Sequence, residues 1–137
     1  MPKVLLVDDH PDILRLLQIS LRSDPLEILT ASNGREALEL VERERPDLMI
    51  LDVVMPEVDG LRVLNRVKTH TEWKSTIVVM LTVKDHPEEI TLGLDVGADF
   101  YLSKPFRPGE VASLVRRLLL QALPAPETGS ADGEPAA

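Results

Sequence analysis

The sequence predicts an α/β fold, a doubly wound parallel sheet of five strands with five helices on its two faces. Short continuous runs of Val, Leu, Ile and Met recur along the chain, and such runs are typical of strands buried on both faces. Segments in which apolar residues recur at helical spacing lie between them, so strand and helix alternate throughout. The clearest strand runs are 4–7, 48–51, 77–81 and 100–102.

The N-terminal part of the chain alternates twice between strand and helix. A strand at about 3–8 precedes a helix at about 10–23, and a strand at about 26–31 precedes a helix at about 34–44. Asn33 is a favourable N-cap for the second helix. The apolar positions that predict inward helix faces are Ile13, Leu14, Leu16, Leu17, Leu21, Ala37, Leu38 and Val41.

The rest of the chain continues the same alternation. Pro46 breaks the chain before the third strand, and Pro56 and Gly60 mark a loop after that strand. The elements predicted after Pro46 are a strand ending near Asp52, a helix at about 60–69, a strand at about 76–82, a helix at about 87–97, a strand at about 99–103 and a last helix with Val111, Leu114, Val115, Leu118 and Leu119 at helical spacing.

Composition argues against several classes of function. The formal net charge is −8 and no basic cluster is present, which disfavours direct binding of nucleic acid. The chain has no cysteine, so a metal site must use oxygen or histidine ligands, and oxygen ligands favour a hard cation. The longest apolar stretches are far shorter than the ~20 residues that span a bilayer. We therefore expect a cytoplasmic protein without membrane insertion.

A change of composition after Leu123 divides the chain. Residues 124–137 contain no large apolar side chain, are rich in Pro, Ala and Gly, and carry acidic residues but no Lys or Arg. Such a segment cannot bury enough apolar surface to fold. We therefore predict one folded domain at 1–123 and a disordered acidic tail at 124–137, and the tail suits a free terminus and a linker equally well.

Polar side chains come where the predicted strands end. They are Asp8, Asp9, Asp52, Thr82 and Lys104. Ligands of open α/β sheets bind at the carboxyl ends of the strands, so these side chains are expected to lie together. Three carboxylates at close range repel one another unless protons or a cation join them. The sequence therefore predicts a site for a divalent cation and a phosphoryl group.

Taken together, these motifs resemble the receiver domain of bacterial two-component response regulators, over roughly residues 2–121. The matching features are Asp8-Asp9, Asp52 with Met55-Pro56 and Gly60 behind it, Leu81-Thr82, Gly97-Ala98-Asp99, Tyr101-Leu102 and Lys104-Pro105-Phe106. Each piece alone is common, but all of them in order at matching strand ends are specific. The resemblance implies the flavodoxin-like strand order 2-1-3-4-5 and a cis Lys104-Pro105 peptide.

Asp52 is the predicted phosphoacceptor. A carboxylate can attack a phosphoryl donor in line and form an aspartyl phosphate, while Lys104 neutralises the phosphoryl oxygens and the Thr82 hydroxyl donates a hydrogen bond to one of them. The resemblance implies a switch: Thr82 moves inward, and Tyr101 rotates into the space that it leaves. The surface formed by the fourth helix, the fifth strand and the fifth helix would then change.

Mg²⁺ is the expected cation, because it prefers octahedral oxygen coordination with one or two carboxylates, retained waters and a phosphate oxygen. By the resemblance, Asp9 and Asp52 supply carboxylate ligands and Val54 supplies its backbone carbonyl. Asp8 makes its contact through bound water.

Each of these residues also has a purely structural interpretation. Asp8 and Asp9 could be N-caps of the first helix, and Thr82 and Tyr101 could be ordinary strand residues. Lys104 could be a solvated turn residue.

The three histidines lack a metal-like spacing and are expected at surface or loop positions. Of these residues, His10, His70 and His86, only His10 could touch the site, since it follows the acidic pair. Leu14 fits the core of the domain, but the apolar arc of the first helix is wide enough for Leu14 to dock a partner instead.

We therefore expect a phosphorylation-controlled signalling switch. It would take a phosphoryl group from the histidine of a sensor kinase or phosphotransfer protein, and it would act on a downstream protein target. It is not expected to be an enzyme beyond catalysing its own Mg-dependent phosphorylation and dephosphorylation. With no second folded segment evident, a stand-alone receiver similar to chemotaxis regulators is expected, and phosphorylation-dependent homodimerisation is left open.

Two alternatives belong to other classes. One is an interaction module that keeps the fold without being phosphorylated, against which the complete acidic site argues. The other is a phosphatase that works through an aspartyl phosphate. Such enzymes commonly have a second acid two residues after the nucleophile, where this chain has Val54.

Overall fold

The predicted parallel sheet is confirmed, including its strand order. A computed structural model describes residues 1–55, 58–83 and 97–122. All strand pairs are parallel, and the order is β2-β1-β3-β4-β5. The strands are β1 (Lys3–Val7), β2 (Glu27–Ala31), β3 (Leu48–Asp52), β4 (Ile77–Val83) and β5 (Phe100–Lys104).

Four helices lie within the described residues: α1 (Pro11–Leu21), α2 (Gly34–Glu44), α3 (Gly60–Thr69) and α4 (Pro108–Ala122). None of the four has the length and apolar character that crossing a bilayer requires. The helix predicted at about 87–97 and the tail predicted at 124–137 lie outside the described residues, so both stay predictions.

The core has two layers, one on each face of the sheet. Val4 and Leu6 of β1 pack into the layer that contains α1 and α4, whereas Leu5 and Val7 pack into the layer that contains α2 and α3. All four side chains are fully buried. Because the sheet is covered on both faces, the strand residues that point to either face are apolar. This explains the continuous apolar runs in the sequence. Leu14 is half-buried against the first layer and so contributes to the core.

Asn33 caps α2 as predicted, and neither Asp8 nor Asp9 is the N-cap of α1. The Glu36 backbone N–H donates to Asn33 Oδ1 at 2.8 Å, so Asn33 caps α2 as expected. The N-cap of α1 is His10, whose side chain makes no capping bond. The interpretation of Asp8 and Asp9 as N-caps is therefore wrong, and their carboxylates are available for another role.

Strand ends differ from the sequence prediction by about one residue. The fifth strand begins at Phe100 rather than Asp99, because the Asp99 carboxylate accepts a hydrogen bond from the Val78 backbone N–H at 2.8 Å and holds the chain just before the ladder. The fourth strand runs through Val83, one residue past Thr82. Pairing between neighbouring strands decides these ends, which a single strand's composition does not encode.

Candidate functional site

The carboxyl ends of four strands bring the predicted polar residues to one edge of the sheet. Asp8 directly follows β1, and its backbone N–H donates to the Ala31 carbonyl at 3.2 Å. Asp52 is the last residue of β3 and pairs in register with Leu81, so Thr82 is one position further along the neighbouring strand. Lys104 ends β5.

The backbone of Asp52 is packed tightly against Gly60. The Gly60 N–H donates to the Val53 carbonyl at 2.8 Å, and a Cβ atom on Gly60 would collide with the Asp52 carbonyl oxygen. Only glycine allows this close approach at the start of α3. Gly60 thereby holds the loop after β3 against Asp52.

Lys104 reaches two buried carboxylates. Its Nζ lies 3.1 Å from Asp8 Oδ2 and 3.4 Å from Asp52 Oδ1, and the Lys104-Pro105 peptide is cis as expected. The Asp8 side chain is fully buried and the Asp52 residue is 5% exposed. The interpretation of Lys104 as a solvated turn residue is therefore wrong. Its ammonium offsets part of the repulsion between the two carboxylates.

His10 contacts the acidic pair more closely than its sequence position alone could show. Its Nδ1 lies 3.0 Å from Asp8 Oδ1 and 3.3 Å from Asp9 Oδ1, although the ring is 64% exposed. One donor atom each from Asp8, Asp9, His10 and Asp52 lie within 4.8 Å of one another. Adjacency to the acidic pair was the only sequence signal. His70, at the end of α3, stacks on Trp73 instead, and His86 lies outside the described residues.

The ionisation of Asp52 is strongly perturbed. Burial first, and then the negative charge of Asp8, raise the pKa of the Asp52 carboxyl from 3.8 to about 6, while Lys104 and the Val54 backbone N–H oppose the rise. The hydrogen bond to Asp8 and the charges of Asp9 and Asp8 raise the pKa of His10. The negative charge of Asp8 contributes to both shifts, whereas burial is the main cause only for Asp52.

The acidic cluster fits a divalent cation. Asp8 Oδ2 and Asp9 Oδ1 are buried oxygens that accept no hydrogen bond from the described part of the chain, although Lys104 lies close to the first. Oxygen atoms left without donors at the end of a sheet have the capacity to coordinate an ion. A donor set made mostly of carboxylate oxygen favours a hard cation.

The remaining predicted site residues are placed as follows. Thr82 is 2% exposed, and its hydroxyl has no hydrogen-bond partner within the described residues. Tyr101 is half-buried and packs against the layer that contains α2 and α3. The Val54 side chain is 60% exposed. The roles of these residues in a switch or in metal binding stay predictions.

Comparison with known proteins identifies the family. The model of the response regulator receiver domain matches residues 4–116. This chain belongs to the response regulator receiver family. The receiver is 42% identical over 117 residues to the alkaline phosphatase synthesis transcriptional regulatory protein PhoP of Bacillus subtilis, a match that covers 85% of this chain and 48% of the relative. The chain thus spans about half the length of the curated relatives that it matches.

Solved structures agree with this assignment. The receiver superimposes on a putative response regulator from Chloroflexus aurantiacus with a TM-score of 0.82 and 34% identity, covering 88% of this chain and 99% of that one. It superimposes on the chemotaxis response regulator CheY4 of Vibrio cholerae with a TM-score of 0.80 and 36% identity, covering 86% and 98%. Accepting a phosphoryl group is the general function of this family, whose members belong to two-component signalling systems.

Proposed function

We propose that this receiver accepts a phosphoryl group on Asp52 from the histidine of a sensor kinase or of a phosphotransfer protein, in the cytoplasm. The observation that carries the proposal is the buried Asp52 carboxylate with the Lys104 ammonium 3.4 Å away. A nucleophile and a cation at this separation suit phosphoryl transfer, in which catalysis is mostly positioning and electrostatics.

In the proposed step, an Asp52 carboxylate oxygen forms a bond to phosphorus as the bond to the donor atom breaks. The donor atom leaves with the electron pair. Lys104 neutralises the charge that builds on the phosphoryl oxygens. The Thr82 hydroxyl, which has no hydrogen-bond partner in the described part of the chain, donates a hydrogen bond to one of them.

Mg²⁺ is the proposed cofactor. Asp9 and Asp52 would hold it through carboxylate oxygens, Val54 through its carbonyl and Asp8 through water. When bound, the ion neutralises negative charge on the transferring group and fixes its orientation. The support for this set is a buried oxygen on each of Asp8 and Asp9 that accepts no hydrogen bond from the described residues, although Lys104 lies close to the first and His10 to the second.

The experiment that tests the proposed function locates the phosphate. The full chain is incubated with Mg²⁺ and acetyl phosphate, and peptides are then examined by mass spectrometry under conditions that preserve acyl phosphates. We expect one labile phosphate on the peptide containing Asp52, and none when EDTA removes the metal. A stable phosphate elsewhere would contradict the proposal. Repeated turnover of a small phosphoester would revive the phosphatase alternative.

The proposed output is a changed protein-binding surface at β5 and α4, extending into the helix predicted at about 87–97. The formal charge of −8 supports a protein target rather than direct contact with nucleic acid. The domain itself is proposed to comprise residues 1–123, with 124–137 as a tail.

Replacing Thr82 tests the switch. Thr82→Ala should still be phosphorylated, because Asp52 and Lys104 remain, but its change at β5 on activation should be blunted since the inward hydrogen bond is lost. Hydrogen exchange at Phe100–Lys104, with and without beryllofluoride as phosphate mimic, measures the response. Thr30→Ala, which removes an exposed hydroxyl from β2, is the matched control. An undiminished response in Thr82→Ala would show that the signal takes another route.

The phosphorylated state is expected to be long-lived. The side chains of Val54 and Val83 cannot hydrogen-bond an attacking water, and Val83 also adds bulk directly after Thr82. The Lys84 ammonium offers no acceptor for the proton of that water at neutral pH. The exposed Val54 side chain agrees with a position at the mouth of the site, whereas Lys84 lies outside the described residues.

The decay of phospho-Asp52 measures this lifetime. Val54→Asn and Val83→Ala should each speed the decay several-fold. Val54→Asn offers a hydrogen-bond acceptor to the attacking water, and Val83→Ala gives water more room to reach the phosphoryl group. Leu120→Asn, an exposed change on α4, should leave the rate alone. Unchanged decay in both site variants would refute the explanation.

A further inference from the structure

His10 places an imidazole nitrogen among the carboxylates of the acidic cluster. Its Nδ1 lies 3.0 Å from Asp8 Oδ1 and 3.3 Å from Asp9 Oδ1, and with one oxygen of Asp52 these donor atoms lie within 4.8 Å of one another. The ring is 64% exposed and caps no backbone group of α1. Helix capping therefore does not account for its position.

The separation of His10 Nδ1 from Asp9 Oδ1 fits neighbouring ligands around one ion. With metal–ligand distances of about 2.1 Å, adjacent donors are about 3.0 Å apart in an octahedron and about 3.4 Å apart in a tetrahedron, and the observed 3.3 Å lies between these values. A hydrogen bond from the imidazole to Asp8 gives similar distances, so geometry alone leaves both arrangements open. The two arrangements predict different metal selectivity.

The buried carboxylates of the cluster have few donors around them. The Asp8 side chain is fully buried, and its Oδ2 has the Lys104 ammonium, 3.1 Å away, as its partner but accepts no other hydrogen bond from the described residues. His10 does not occupy that oxygen, since both its backbone N–H and its ring face Asp8 Oδ1. The cluster could therefore offer an ion both carboxylate oxygen and the imidazole nitrogen of His10.

We propose that His10 is a metal ligand that shifts the preference of the site from Mg²⁺ toward first-row transition ions such as Zn²⁺. Imidazole nitrogen suits Zn²⁺, Co²⁺ and Ni²⁺, whereas Mg²⁺ takes oxygen ligands. Carboxylates alone bind both classes of ion, so the effect of His10 is on the ratio of the two affinities. The inference rests on the metal centre of the proposed function, to which it adds a selectivity residue.

Calorimetric titration of the full chain with Zn²⁺ and with Mg²⁺ tests the inference. His10→Phe keeps a ring but has no ligand atom. We expect it to weaken Zn²⁺ binding at least about tenfold while Mg²⁺ binding is kept or improved. Asp9→Asn should weaken the binding of both ions. Its effect on the affinity for Mg²⁺ should be larger than that of His10→Phe. His70→Phe retains a ring to stack on Trp73 and controls for histidine sites elsewhere.

Pulsed electron paramagnetic resonance with bound Mn²⁺ gives a second readout. Coupling to an imidazole ¹⁴N nucleus is expected in the wild type and should be lost in His10→Phe. Normal Mg²⁺ binding with an unchanged affinity ratio in His10→Phe would overturn the inference but leave the proposed metal centre intact. Absence of Mg²⁺ binding, or equal binding by Asp9→Asn and the wild type, would instead refute the metal centre and the inference with it.

Discussion

The Asp52→Asn variant is expected to take up no detectable phosphoryl group from acetyl phosphate in Mg²⁺. The amide has nearly the volume of the carboxylate but lacks the negative charge that makes it a nucleophile. Asp52 is 5% exposed in a close-packed edge of the sheet, so an isosteric change preserves the surroundings. Lys104 keeps its contact with Asp8 at 3.1 Å, which should maintain the fold of the site.

The matched control is Asp12→Asn, which removes an exposed carboxylate from the first turn of α1. Its phosphorylation should equal that of the wild type, as measured by intact-protein mass spectrometry after equal incubation. Circular dichroism checks that both variants are folded. Labelling of Asp52→Asn to the level of the control would mean that another residue accepts the phosphoryl group.

The metal-free receiver is expected to lose stability as the pH rises from about 4 to about 6. In this window the folded protein holds a proton on Asp52, whose pKa is raised to about 6, while the unfolded chain has released it at an ordinary pKa of 3.8. The folded state binds more protons, so raising the pH favours unfolding. A shift of this size corresponds to roughly 3 kcal/mol of lost stability above pH 6.

Urea unfolding in EDTA between pH 4 and pH 8 measures the effect as the difference between wild type and Asp52→Asn. The difference should be small near pH 4 and should reach its full size above pH 6, with the variant the more stable protein. Asp52→Asn keeps Asp8 and Asp9, the carboxylates that raise the pKa of His10, so the contribution of His10 cancels in the difference. A difference that does not change with pH would contradict the raised pKa.

The fold was predictable because both faces of the sheet are covered. The run from Val4 to Val7 is completely buried, and a strand buried on both faces has an uninterrupted apolar sequence. The strand order, by contrast, followed from the family resemblance, since alternation of strand and helix is compatible with other orders. The start of β5, just after Asp99, and the end of β4, at Val83, depend on neighbouring strands. Each lies one residue from the position that the sequence predicted.

The gathering of these polar side chains at one edge of the sheet was predictable for a related reason. Parallel strands present their carboxyl ends at one edge of a sheet, so residues that follow separate strands, such as Asp8 and Asp52, must approach one another. The sequence could not show which charged side chains contact one another within the site. Lys104 lies closer to Asp8 than to the predicted phosphoacceptor, and His10 contacts both members of the acidic pair.

The sequence by itself determined the class of fold, the two apolar layers and the residue types at the strand ends, because these follow from periodicity and chain direction. Only the tertiary structure decided how far the carboxylates are desolvated, where the His10 ring lies and how closely Gly60 packs on Asp52. These properties depend on distances between segments far apart in the chain. Since electrostatic energy varies with separation and burial, tenths of an ångström at this edge matter for charge and metal preference in a way that no local pattern encodes.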